Sequence, residues 1–194
     1  CASGEPMSVD RDLLRWNGWG RRADSMELGE ARRASVLAAL AERFGTPLVP
    51  GPEAAALAAV SMPESRLTPA ARAALEQAVG AGHVHTDVKT RAQHAAGKSF
   101  PDLLRLRSGA LERAPDVVVF PGSAEAVAAL LRVAGSEALA VVPFGGGTSV
   151  VGGVEPLLPE GKRAVVALDT TRLDRLIALD EVSRTATFEA GIDG

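Results

Sequence analysis

The run PFGGGTSVVGG, Pro143 to Gly153, places five glycines and the hydroxyl residues Thr148 and Ser149 directly after the apolar segment Ala138–Val142. Glycine lets backbone come close to a ligand and adopt positive φ. Successive exposed N–H groups then make a concave nest for phosphate oxygens. A bare structural turn is the alternative, but three consecutive glycines lose conformational entropy on folding, a cost that ligand contact offsets. Phosphate binding is therefore the candidate chemistry, and spacing tests which phosphate. The nucleoside-triphosphate loop needs G-x-x-x-x-G-K-[ST]. Gly147 and Gly152 supply the spacing, but Gly153 and Val154 stand where lysine and Ser/Thr are required. The dinucleotide fingerprint needs G-x-G-x-x-G opening a helix. Gly145 and Gly147 fit, yet Val150 replaces the third glycine and VVGGVEP does not start a helix. Asp169 lies near the distance of a ribose-binding acid, a coincidence given little weight. What remains is a loop that wraps a pyrophosphate without a helix dipole.

Other chemistry-bearing residues are sparse. The chain has no tyrosine, one cysteine (Cys1) and three histidines. His83 and His85 lack a third ligand at metal-site spacing, so no metal site is expected. His94 reads as a packing or hydrogen-bonding residue rather than a base. Trp16 and Trp19, around Gly18, read as an anchor packing on the glycine-loop domain rather than a tunnel edge. Arg21, Arg22, Arg32 and Arg33 are diluted by acidic neighbours and read as solvated faces.

The elements that position the loop begin with a helical half. Leu37, Leu40, Ala41 and Phe44 form an i, i+3, i+4, i+7 stripe, ended by Gly45 and Pro47. Thr68 caps a helix with Pro69 at its first position, running through Leu75 and Val79 to Gly80. Ser99 and Asp102 make a capping box for a third helix, with Gly109 as its stop. From Leu111 the pattern changes. Strands are expected at Val117–Phe120, Ala140–Val142, Val165–Leu168 and Thr185–Ala190, the last with one solvated face. Ser123 caps an intervening helix with Val127, Leu130, Leu131 and Ala134 on one face. This is an α+β architecture, divided into a helical region 1–110 and a glycine-loop domain 111–194.

With 194 residues, 46% apolar, the chain can bury a core. A net charge of −3 gives no basic field for nucleic acid. No apolar run is long enough to span a membrane, and the start lacks a secretory pattern. The first methionine is Met7, and Gly194 falls where a next element should begin, so we read an N-terminal piece of something longer.

The strand followed by P-x-G-G-G-T-S resembles the phosphate loop of the vanillyl-alcohol-oxidase (PCMH-type) flavoproteins. PDVVVFPGSAEAVAALLRVA is similar to their lead-in, and VVALDTTRLDRLIALDEVSRTATFEAGI to their continuation of strand, short helical turn and strand. RWNGWG, Arg15 to Gly20, resembles the K-W-N-G-W-G signature of the alkyldihydroxyacetonephosphate synthases. DVKTRAQHAAGKSFPDLLRLRSG is similar to a further segment of theirs, with His94, Gly97 and Arg107 at matching positions. Lys98, Ser99 and Asp193 depart from that pattern without disturbing it.

The resemblance implies the first α/β subdomain of a PCMH-type FAD-binding fold and FAD as cofactor. Pro143, Gly145, Gly146, Gly147, Thr148, Ser149 and Val150 would hold its pyrophosphate. It implies exchange of the acyl group of acyl-dihydroxyacetone phosphate for a fatty alcohol, an ether-lipid reaction without net redox change. No catalytic residue is expected within this chain. A FAD-dependent D-lactate or glycolate-type dehydrogenase or oxidase, or a binding module without turnover, stays open. So do a homodimer and peripheral membrane association of a cytoplasmic, bacterial protein.

Overall fold

The computed structural model describes residues 10–24, 29–49 and 51–192. The expectations attached to Cys1, Met7, Asp193 and Gly194 lie outside them. Among the described residues five α-helices and six strands follow one another: α1 Glu30–Phe44, α2 Pro69–Val79, β1 Val84–His85, α3 Val88–Gln93, α4 Phe100–Ser108, β2 Val117–Val119, α5 Ala124–Ser136, β3 Leu139–Phe144, β4 Ala164–Asp169, β5 Leu176–Asp180 and β6 Thr185–Phe188.

Local chemistry sets the helix ends. Thr68 Oγ1 accepts the Ala71 N–H, and Pro69 occupies the first turn of α2, where its missing donor costs nothing. Ser99 and Asp102 form the reciprocal capping box of α4. Ser123 accepts from Ala126 at the start of α5. Gly45 and Gly109 close α1 and α4 in the left-handed conformation.

The main sheet runs β1-β2-β4-β3, with β2, β4 and β3 parallel and β1 antiparallel at one edge. Every side chain of β2 and β4 is buried. Strands covered on both faces read as continuous Val and Ala rather than alternating, as these do. α2 and α5 pack together, and Leu75, Leu130 and Ala134 meet Val117, Val119 and Val166 in one core. A second core gathers Ala92, Ala95, Leu103, Leu106 and Leu111, with Trp16 packed against it. The sheet reaches back past residue 110, since β1 pairs with β2 and α2 covers it. Asp116 fastens the same junction. Its buried carboxylate takes the Arg66 guanidinium on both oxygens and also accepts the Val165 N–H at 2.7 Å.

Four sequence readings change. LIALD is strand β5, where no strand was expected: it pairs antiparallel with β6. β6 has no covered face, for all its residues are exposed. Leu131 is 51% exposed while Leu130 and Ala134 are buried, so the inward stripe of α5 is narrower than expected. In α1 the helix forms as read, but Leu40 and Phe44 face solvent.

Candidate functional site

Parallel strands deliver their carboxyl ends to one edge, the usual place for a ligand in an open α/β sheet. Here β3 and β4 end side by side, with Phe144 paired to Asp169. Pro143 lies within β3, and Gly145, Gly146 and Gly147 leave the strand end. Thr148 and Val150 are exposed, and Ser149 is half-buried.

The loop is held from behind. Lys98 donates its backbone N–H to Ser149 O at 2.7 Å. That approach requires glycine at 97, because a Cβ there would stand 2.1 Å from Ser149 O. Gly147 has φ +70° and would drive a Cβ to 2.6 Å from the Phe144 ring. Gly146 is different: a Cβ meets only Thr148 Cγ2, at 3.8 Å. Among the described residues, no backbone N–H from Gly145 to Ser149 is donated to another protein group. Ser149 Oγ accepts from Gly153 N–H, which leaves its hydroxyl hydrogen to donate. The seven loop residues are thus brought together as an edge with unused donors, and Gly146 has room for a Cβ.

Two cations border that edge. Arg11 places its guanidinium carbon 4.7 Å from the Phe144 ring centre and donates from Nη2 to Gly145 O. Its Nε and Nη2 both donate to Asp169 Oδ2, at 2.8 and 2.6 Å. Lys98 lines the same pocket as Arg11, Gly146 and Gly147, and its Nζ donates to Arg15 O and Trp16 O. Burial, reinforced by the nearby Arg11 charge, pushes the Lys98 ammonium down to about 8.

Asp169 is the buried centre. His94 Nε2 donates to its Oδ2 at 2.7 Å, and Thr171 donates to Oδ1 through N–H and hydroxyl. Burial alone would raise its pKa. The His94 hydrogen bond, the Arg11 charge and Thr171 outweigh that and hold it below the usual carboxylate range. The other His94 nitrogen, Nδ1, faces Thr90 O at 2.8 Å. His94 is therefore the hydrogen-bonded, buried residue expected, its ring tilted by 51° to that of Phe144 with centres 4.5 Å apart. Sequence reasoning gave Asp169 little weight, named Lys98 only as a departure from the family pattern and passed over Arg11. Arg11 stands 158 residues from its carboxylate, a separation that no spacing motif reads.

The tryptophans divide. Trp16 packs on the second core, whereas Trp19 is 64% exposed and donates its indole N–H to Lys98 O. Gly97 and His94 belong to the site, while Arg107 is exposed in the last turn of α4. Among the described residues, no three His, Cys, Asp or Glu side chains are arranged to hold a metal ion. None of their helices is long and apolar enough to cross a membrane.

Residues 115–194, which carry the glycine loop and Asp169, match the family described as FAD binding domain. The chain has a mixed α/β fold with a helical N-terminal region and is similar to the alkyldihydroxyacetonephosphate synthases. The synthase of Trypanosoma brucei brucei is 38% identical over 120 residues, 62% of this chain and 20% of that protein. A solved alkyldihydroxyacetonephosphate synthase superposes with TM-score 0.79 at 26% identity, covering 94% of this chain and 37% of its own. The probable mitochondrial D-lactate dehydrogenase of Danio rerio is 35% identical over 80 residues, 41% of this chain and 15% of that protein. The aligned part of this chain thus spans about a fifth of the curated synthase it matches.

Proposed function

We propose that the chain forms the pyrophosphate-holding part of the FAD site in an alkyldihydroxyacetonephosphate synthase-like enzyme. The whole enzyme would exchange the acyl chain of acyl-dihydroxyacetone phosphate for a fatty alcohol, releasing a fatty acid. The loop from Gly145 to Ser149, whose N–H groups have no protein acceptor among the described residues, carries this reading. The donor set suits a pyrophosphate: unused backbone N–H groups from Gly145 to Ser149 and the hydroxyls of Thr148 and Ser149. Pro143 and Val150 flank them. When bound, FAD supplies the electron-carrying ring system. This chain's residues bind and orient it, and none is assigned a catalytic role. The glycine-loop unit 111–194 would be the binding domain and 1–110 its support.

A dehydrogenase of 2-hydroxy acids is the second reading, favoured by the likeness to the D-lactate enzyme. That likeness covers 41% of the chain, whereas structural likeness to a synthase covers 94%. FAD titration of the chain, followed by flavin fluorescence, tests the cofactor; a folded chain without response refutes it. On the whole enzyme, labelled fatty alcohol incorporated without an electron acceptor supports the synthase. Flavin bleaching by D-lactate supports the dehydrogenase.

A further inference from the structure

The Arg11–Asp169–His94 cluster is more than a packing device. Asp169 is fully buried behind the loop and receives the Nε/Nη2 edge of Arg11. The remaining nitrogen, Nη1, lies 3.7 Å from where a Gly147 Cβ would stand, on the wall shared with Gly146. His94 contributes the second part of the argument. Its ring nitrogens face a backbone carbonyl and a carboxylate, and both of these only accept. The His94 ring thus helps to hold the Asp169 carboxylate in place for Arg11, beside unused N–H groups. Lys98 adds a second cation on the same pocket.

We propose that Arg11 is a phosphate-recognition residue of this site, with Asp169 and His94 as the positioning residues that aim it; the proposal rests on the FAD reading above. A guanidinium fixed along one edge by a carboxylate can present its other nitrogen to a phosphate oxygen without first being ordered. The ligand it selects is a diphosphate-bearing nucleotide, and inorganic pyrophosphate is its minimal probe.

The test uses the full chain. Arg11→Lys keeps a cation for Asp169 but loses the fork. Arg11→Met combined with Asp169→Asn removes both charges, so no buried carboxylate is stranded. Each should bind FAD about tenfold or more weakly, as expected for one charge-assisted contact. Pyrophosphate should compete less well in both. Arg11→Met alone, which lowers the net charge of the site by one, should also show a shallower dependence of FAD affinity on salt. Wild-type affinity in the first two variants and wild-type salt dependence in the third would overturn the role of Arg11 and leave the FAD reading standing. A folded wild-type chain that binds neither FAD nor pyrophosphate would remove both.

Discussion

Single residues at the loop separate binding from folding. Gly146 has room for a side chain and Gly147 does not. Gly146→Val should keep the melting temperature within about 2 °C while losing FAD retention. Gly147→Val should instead cost about 2–4 kcal/mol of stability, from left-handed strain and the Phe144 clash. Paired thermal melts and FAD titrations check this; equal destabilisation by the two would refute the distinction. Lys98 gives a pH signature. Its folded pKa, about 8, lies below the ordinary lysine value, so the folded state sheds the proton first. Stability contributed by this group therefore rises between about pH 8 and 10.5, while attraction for an anion falls over pH 8. FAD affinity measured from pH 7 to 9.5 should decline, and Lys98→Arg should flatten the decline. Asp169 works at the other end. Its lowered pKa means its contribution is present above the unfolded value near 3.9 and lost as acid protonates it. Asp169→Asn should soften acid unfolding below about pH 4.

Elements were legible where their signals are local. Thr68, Ser99, Ser123, Gly45 and Gly109 each mark a helix end through bonds within a turn, and each does so here. The pairing of β5 with β6 was not legible, because Leu176 and Leu179 satisfy a helical spacing as readily as a strand. α3 escaped notice because its six residues are too few to show a stripe. The glycine loop was read from composition, but Arg11 and Asp169 meet only through the fold, and no local pattern announces them. Two consequences hold at this scale. Ser99→Ala should cost about 1 kcal/mol through the lost cap of α4. Gly97→Ala acts on the loop from outside it. The 2.1 Å approach to Ser149 O must open, so FAD retention should fall while far-ultraviolet circular dichroism keeps its helical signal. Normal flavin retention in that variant would show that the support from Lys98 N–H is dispensable.

In the whole molecule, protection is uneven. β2 and β4 are buried on both faces, whereas β5 and β6 are exposed throughout. Amide hydrogen exchange should therefore be slowest in β2 and β4 and much faster in β5 and β6. Comparable protection of the hairpin would mean that a surface bearing Ile177, Leu179 and Phe188 is covered in solution. The Arg11–Asp169 pair also imposes an order on synthesis. Arg11 leaves the ribosome 158 residues ahead of its carboxylate, a delay of roughly 10–30 s at ordinary elongation rates. Throughout that interval Arg11 has no Asp169 to pair with, although residues up to Leu111 can already hold Trp16. The ion pair thus closes only after β4 has emerged, as a clasp, and flavin capture should be a late event in the maturation of the nascent chain.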